Sequence, residues 1–253
     1  MTPSSYLRDI LDREAVDDGS GALLQQFESQ IERICAEWAG RHLLEIYPAG
    51  GYARGTANRS GVQIDFVASL SPQTPYTARQ IYDSLFEALH RMGLLPTRRS
   101  VSISIELNNT LVDIIPAKRE SLNSDFHELH TARRGLSAKT NLMQHVLDAI
   151  ESNRHEEVRI IKLWRDQQGL DFPSFYLELS VLAALRRRPL GELAENVWAV
   201  LGYYETLFPA RGLLDPANAN NVVSDELVGA EKLAVRDAAR EARSGRPWVE
   251  IVG

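Results

Sequence analysis

The sequence contains a single cysteine, Cys35, among its 253 residues. One cysteine cannot form a disulfide within the chain, and it excludes zinc sites built from paired cysteines. No apolar run approaches the roughly 20 residues that a membrane-spanning helix needs. Residues 1–13 carry charge and lack the apolar core of a signal peptide. These absences predict a soluble, cytoplasmic protein with no membrane partner.

Positive charge is also scarce. The chain has 28 Lys and Arg against 34 Asp and Glu, a formal net charge of −6 at pH 7. Because broad nucleic-acid binding needs an excess of positive charge, any phosphate-binding site is expected to be a local patch. With 44% hydrophobic and 25% charged residues, the composition is that of a globular protein.

The apolar pattern divides the chain into a mixed first part and a helical second part. The mixed part has predicted strands at 43–48, 64–70 and 101–107 and amphipathic helices at 23–38 and 77–92. Asn108-Asn109 predicts a two-residue turn to a partner strand at 111–115, which Pro116 ends. Helices are predicted at about 140–152, 155–168, 174–186, 190–206 and 225–242. The predicted fold class is α+β, with an α/β domain at 1–130 that includes an N-terminal helix, and a helical domain at 131–253.

A glycine-rich turn follows the first predicted strand. Gly50 and Gly51 stand where the chain passes from a strand into a helical turn, so backbone N–H groups can approach an anion closely. Asp65 on the next strand and Asp113 on the hairpin lie among Val, Ile and Phe, where a carboxylate is costly without compensating charge. A divalent cation such as Mg²⁺, which prefers oxygen ligands, explains this pair most simply.

This order of turn, acidic strand, acidic hairpin and helical half resembles the DNA polymerase β superfamily of nucleotidyltransferases over about residues 47–221. Within it, the sequence is most similar to archaeal-type CCA-adding enzymes, 2′-5′-oligoadenylate synthetases and bacterial cyclic-oligonucleotide synthases. The resemblance implies a polymerase-β-like domain with a small mixed sheet, completed by the helical domain. It also implies Mg²⁺ or Mn²⁺, ATP or another NTP, and an RNA 3′ end, a second nucleotide or a protein hydroxyl as acceptor. Antiviral defence and a partner protein follow from the same resemblance.

The resemblance assigns roles to individual residues. It places Asp65 and Asp113 at the metal and in catalysis, with Gln63 at the remaining catalytic position. Lys162 and Ser174 would contact the triphosphate, and Phe175 or Tyr176 would stack on the base. The full set of implied nucleotide-binding residues is Gly50, Gly51, Arg54, Thr56, Asn141, His145, Lys162, Ser174, Phe175 and Tyr176.

Two further features of the helical part come from spacing alone. Arg159, Lys162 and Arg165 fall three apart on one predicted helix and form a basic stripe, which is the candidate for the local patch. Ser174 opens the next predicted helix and is expected to cap its N-terminus.

Two positions depart from the superfamily pattern. Gly51 replaces a serine, and Gln63 replaces the first of two acids separated by one residue. Because Gln63 shares a strand face with Asp65, its amide faces the site but brings no charge. Three interpretations remain open: a naturally degenerate active site, an engineered substitution, or a metal site rebuilt with another residue. A two-residue hairpin turn would pair Ser104 with Asp113 and place Glu106 on the same face. Glu106 is then a candidate for the missing charge, although an exposed glutamate near the hairpin turn is the favoured interpretation.

Three functions are therefore consistent with the sequence. The first is metal-dependent transfer of a nucleotidyl group to a hydroxyl. The second is a nucleotide-binding pseudoenzyme with a regulatory or defence role, which the missing carboxylate favours. The third, an RNA-binding module, is disfavoured by the acidic net charge.

Overall fold

The structure, a computed structural model, describes residues 2–16, 20–61 and 63–253. The mixed part begins with the helices α1 (Pro3–Arg13) and α2 (Ser20–Ala39), followed by the short α3 (Gly50–Ala53) and by α4 (Ala78–Arg91). The later helices are α5 (Leu142–Ser152), α6 (His155–Gln167), α7 (Ser174–Leu185), α8 (Leu193–Thr206), α9 (Gly229–Ala242) and α10 (Trp248–Ile251). In the described ranges, no helix is both long and apolar enough to cross a membrane.

Seven strands form one mixed sheet. They are β1 (Leu43–Ala49), β2 (Gln63–Leu70), β3 (Thr97–Arg98), β4 (Ile103–Leu107), β5 (Thr110–Arg119), β6 (His127–Thr131) and β7 (Leu136–Thr140). The order is β1-β2-β5-β4-β3, and β6 joins β5 to β7. Strands β2 and β5 run parallel, whereas the other neighbours are antiparallel. The predicted α+β fold class is confirmed.

Alternation along β2 sends successive side chains to opposite faces of the sheet. Ile64 and Phe66 pack into a core with α2 and α4, whereas Val67 joins a smaller cluster on the other face. Asp65, between Ile64 and Phe66, therefore projects on the face away from α2 and α4. This is the face toward which the glycine turn folds.

The helical half has a core of its own, formed mainly by α6, α7, α8 and α9. Leu7, Ile10 and Leu11 of α1 are buried in this core, so the N-terminal helix packs on the helical half. The sheet continues to Thr140, beyond the predicted boundary at residue 130. The sequence did not indicate β6 and β7 because these short strands have too few residues to show a clear alternation. The division into two domains stays a prediction.

The hairpin between β4 and β5 has the predicted turn but a longer second strand. Asn108 and Asn109 have φ of 51° and 63°, as a two-residue turn between antiparallel strands requires. The expectation that Pro116 ends the strand is wrong. Pairing with β4 stops at Ile114 and pairing with β6 starts at Ala117, so the proline lies in the gap between two ladders, where its missing N–H is tolerated.

Candidate active site

Register across the sheet brings the two predicted acids together. Asp65 of β2 lies opposite Asp113 of β5, and Asp113 lies opposite Ser104 of β4. The predicted pairing of Ser104 with Asp113 is confirmed. Because paired residues project to the same face, the two carboxylates and the serine hydroxyl form one row across three strands.

Gly50 allows the turn after β1 to lie directly against this row. Its φ is +65°, and a Cβ built on it would lie 1.6 Å from Oδ2 of Asp65. A side chain at this position would occupy the place of the carboxylate, and the left-handed backbone would also be strained. The glycine turn and the Asp65 carboxylate are therefore in contact only because residue 50 is glycine.

The environment of the two acids indicates a cation. Burial, followed by the negative charge of Asp113, raises the pKa of Asp65 to about 7. The Ser102 hydroxyl donates to Oδ2 of Asp113 over 2.6 Å, whereas Oδ1 of the same buried carboxylate has no hydrogen-bond partner among the described residues. A buried carboxylate oxygen left unpaired is costly, and a divalent cation with oxygen ligands would satisfy it. The two acids fit such an ion.

The third position of the pattern carries no negative charge. Gln63 is half-buried at the start of β2 and pairs with Leu111, which also pairs with the exposed Glu106 from the other side. Leu111 therefore separates Gln63 from Glu106. Within the described part of the chain, no three His, Cys, Asp or Glu side chains form a cluster suited to a metal. The favoured interpretation of Glu106, an exposed glutamate near the hairpin turn, is confirmed, and the alternative that it rebuilds the site is wrong.

A buried cluster centred on Glu178 joins the glycine turn to helix α7. Its carboxylate accepts hydrogen bonds from Arg54 Nε over 2.6 Å and from Thr56 Oγ1 over 3.0 Å, and Lys162 Nζ lies 2.6 Å from Oε1. Burial alone would raise the pKa of Glu178, but the positive charges of Lys162 and Arg54 hold it at about 2. Sequence reasoning missed this residue, although an acid within the apolar run of α7 was a signal that a buried cation lies nearby.

Lys162 is bound inside this cluster. Its ammonium group donates to Thr56 O over 3.1 Å and to Thr56 Oγ1 over 2.9 Å, and it forms an ion pair with Glu178 Oε1 at 2.6 Å. A Cβ on Gly51 would lie 3.0 Å from Nζ, which means that the missing side chain leaves space for the ammonium group. Contact between Lys162 and a triphosphate stays a prediction.

The rest of the basic stripe also bonds within the protein. Arg159 donates to Asn58 Oδ1 and to Leu11 O, and Arg165 donates to Phe172 O and to Ser174 Oγ. The stripe ties α6 to its neighbours in this structure. Ser174 is the first residue of α7 rather than its cap, because the N-cap position is Pro173. The capping prediction is therefore wrong.

The predicted residues on α5 have structural partners. Asn141 caps the helix, with its Oδ1 accepting from Gln144 N over 3.0 Å. His145 Nε2 lies 2.8 Å from Asp215 Oδ1, and its ring stacks on Phe175 with centroids 4.1 Å apart. Hydrogen bonds from His145, Thr140 and Asn221 outweigh burial and lower the pKa of Asp215 to about 2. The loop that begins at Asp215 thus fixes the orientation of His145.

Tyr176 does not face the site. It is fully buried, and its ring stacks on Phe208 in the helical core at 5.2 Å. Of the two aromatic candidates for base stacking, Phe175 alone keeps exposed surface. The role of Phe175 as a stacking residue stays a prediction.

Paired acids on a mixed sheet, a glycine turn against them and a helical half that closes over the turn define the fold of the polymerase-β-like nucleotidyltransferases. Comparison with solved structures confirms this fold. CdnC from Escherichia coli MS115-1, solved with ATP, covers 93% of this chain and 88% of its own, with a TM-score of 0.74 and 18% identity. The CD-NTase CdnG of Bradyrhizobium diazoefficiens, solved with GTP, covers 95% and 90%, with a TM-score of 0.75 and 14% identity.

Sequence comparison gives a consistent result. No family model matches the chain. The cyclic AMP-AMP-AMP synthase of Escherichia coli (strain MS 115-1) is 24% identical over an alignment that covers 86% of this chain and 80% of that protein. CdnC has also been solved as a complex with a HORMA protein. The resemblance drawn from the sequence motifs is confirmed by these relatives.

Proposed function

We propose that the chain binds a nucleoside triphosphate together with a divalent cation and transfers its nucleotidyl group to a hydroxyl of a second nucleotide. The observation that carries the proposal is the pairing of Asp65 with Asp113 beside the Gly50 turn, with Oδ1 of Asp113 unpaired among the described residues. The cyclic-nucleotide product of the E. coli relative supports a nucleotide as the acceptor. The HORMA complex of CdnC supports a protein partner.

Each part of the site has a defined task in this proposal. Asp65 and Asp113 hold Mg²⁺ or Mn²⁺, which supplies positive charge to the phosphates. The turn at Gly50 and Gly51 offers backbone N–H groups to the same phosphates. The Glu178 cluster fixes that turn to α7, so that the turn and the two acids keep one relative position.

Gln63 is expected to slow the transfer. In this class of reaction, metal ions held by carboxylates stabilise both the attacking and the leaving oxygens, and the glutamine brings no negative charge to that task. Placing an acid there should restore the stabilisation. We therefore expect Gln63→Asp to raise the transfer rate by about 100-fold or more, the effect of a single well-placed charge-stabilising group.

The test is incubation with α-labelled ATP or GTP and Mg²⁺ or Mn²⁺, followed by separation of labelled products. Slow formation of a nucleotide product by the unaltered chain, a faster rate in Gln63→Asp and none in Asp113→Asn would support the proposal. Glu106→Gln is the matched control, because this exposed glutamate lies apart from the paired acids. Product formation that is unaffected by Asp113→Asn would reject the assignment of the site.

A nucleotide-binding pseudoenzyme is the second candidate, and the uncharged Gln63 favours it. In that case calorimetry detects binding of ATP with Mg²⁺, the unaltered chain makes no product under any condition, and Gln63→Asp gains transfer. If neither binding nor transfer is detected in either protein, both functions are rejected.

A further inference from the structure

Two buried serine hydroxyls flank Asp113 on its β4 side. Ser102 immediately precedes β4 and is 4% exposed, and Ser104 within β4 is 2% exposed. Ser104 lies directly opposite Asp113, and Ser102, two residues earlier, projects to the same face. Both hydroxyls therefore face the side of the sheet that carries the paired acids.

The two hydroxyls are used differently. Ser102 donates to Oδ2 of Asp113 over 2.6 Å, a short bond that fixes the plane of the carboxylate. The Ser104 hydroxyl has no partner, and neither does Oδ1 of Asp113, among the residues that the structure describes. The single bond from Ser102 thus leaves one carboxylate oxygen oriented but unpaired, and the residue that pairs with Asp113 carries an unpaired hydroxyl.

Two unpaired polar atoms on facing residues indicate a third group between them. Buried hydroxyls and carboxylates are nearly always hydrogen-bonded, to protein or to ordered water. A water molecule bound to a cation can donate one hydrogen to Oδ1 of Asp113 and the other to the Ser104 hydroxyl oxygen, and a hydrated cation brings such a water. Mg²⁺ usually keeps several of its waters when it binds to one or two carboxylates.

We propose that Ser102 and Ser104 form a hydroxyl pair that supports the cation site. Ser102 is a positioning residue that turns Oδ1 of Asp113 toward the cation, and Ser104 binds a water ligand of that cation. This inference rests on the proposed function for the existence of the cation site, but it concerns metal binding alone and requires no transfer.

Because Gln63 is uncharged, the contribution of this hydroxyl pair to metal affinity is expected to be larger. With only Asp65 and Asp113 contributing negative charge, the affinity for the cation depends more strongly on how well each carboxylate is oriented. Groups that orient metal-binding carboxylates through hydrogen bonds typically change metal affinity by about 10- to 100-fold when they are removed. Removing either hydroxyl is thus expected to lower the affinity for the metal measurably in the absence of nucleotide.

The experiment measures Mn²⁺ binding to the full chain without nucleotide, by electron paramagnetic resonance and by calorimetry. Ser102→Ala and Ser104→Ala are each expected to weaken Mn²⁺ binding by about 10-fold or more, and Ser102→Thr, which keeps the hydroxyl, to restore it. Ser69→Ala is the matched control. It removes a buried hydroxyl from the same sheet, but that hydroxyl bonds His127 rather than Asp113. Thermal unfolding of every variant establishes that it is folded.

The outcomes separate the inference from the function it rests on. Unchanged Mn²⁺ affinity in both alanine variants, or an equal loss in Ser69→Ala, would overturn the inference while leaving the cation site intact. Loss in Ser102→Ala without rescue by threonine would reject the positioning role. If the unaltered chain binds no Mn²⁺, the cation site and the inference both fail. If it binds Mn²⁺ but shows neither nucleotide binding nor transfer, only the proposed function fails.

Discussion

Replacing Glu178 by glutamine should destabilise the folded chain strongly, although the two side chains have nearly the same shape. The glutamate is 5% exposed at its side chain, and it is the acceptor for Arg54 and Lys162, which are 10% and 8% exposed. Removing the carboxylate leaves two buried cations without their counter-ion. Loss of one partner from a buried ion pair typically costs about 3–5 kcal/mol.

The pKa of Glu178 also reports the contribution of its charge to the free energy of unfolding. Its pKa falls from 4.5 to about 2 on folding, and each unit corresponds to about 1.4 kcal/mol, so the charged form contributes about 3 kcal/mol to folding. Because the pKa is depressed, this contribution is fully present above pH 4.5 and is lost as the pH falls through 2.

Denaturant unfolding at pH 7, followed by tryptophan fluorescence and circular dichroism, measures the effect. The control is Glu241→Gln, which removes an exposed pair with Arg246 and should leave the unfolding free energy nearly unchanged. The difference between the unaltered chain and Glu178→Gln should shrink as the pH is lowered from 4.5 toward 2. Equal unfolding midpoints at pH 7 would refute the reasoning, because the cluster would then contribute nothing to stability.

Further substitutions test other contacts. Gly50→Ala should lower the melting temperature, because the added methyl group meets the Asp65 carboxylate and the left-handed backbone adds about 1–2 kcal/mol of strain. The control Gly21→Ala, at a position with open space around it, should raise the melting temperature slightly. Asp65→Asn should stabilise the metal-free chain. Because the pKa of Asp65 is raised to about 7, its buried charge destabilises the fold increasingly as the pH rises from 4 to 7 and then by a constant amount, so denaturation across that range should show a widening gain. Tyr176→Phe should leave both stability and ATP binding unchanged, because its hydroxyl has no partner among the described residues, whereas Phe175→Ala should weaken ATP binding measured by calorimetry.

Local sequence signals were sufficient where a feature depends on neighbouring residues. Asn108-Asn109 defined the hairpin because asparagine tolerates the positive φ that both turn positions need. That turn in turn fixed the register that places Ser104 opposite Asp113. The pairing of Asp65 with Asp113 has a different origin, since β2 and β5 are not consecutive, and only the superfamily pattern indicated that they meet.

Features that depend on distant residues could not be read from the sequence. Glu178 lies 122 residues from Thr56 and 124 from Arg54 along the chain, and no local pattern connects them. The contacts of the Lys162 ammonium group depend on that same carboxylate and on the space beside Gly51. The strands β6 and β7 were missed because their pairing with β5 and with each other, rather than their own five-residue patterns, defines them.

The two departures from the superfamily pattern alter the charges of the site together. Gln63 leaves two acids where the pattern has three, and burial beside Asp113 raises the pKa of Asp65, so both features reduce the negative charge available to a free cation. Gly51 leaves space in which the Lys162 charge is neutralised by Glu178, so the attraction for free phosphates is reduced as well. A nucleotide already complexed with its divalent cation depends less on negative charge for the cation and on positive charge for the phosphates, because its opposite charges partly cancel before it binds. If the proposed function holds, we therefore expect tighter binding of the metal–nucleotide complex than of either component alone.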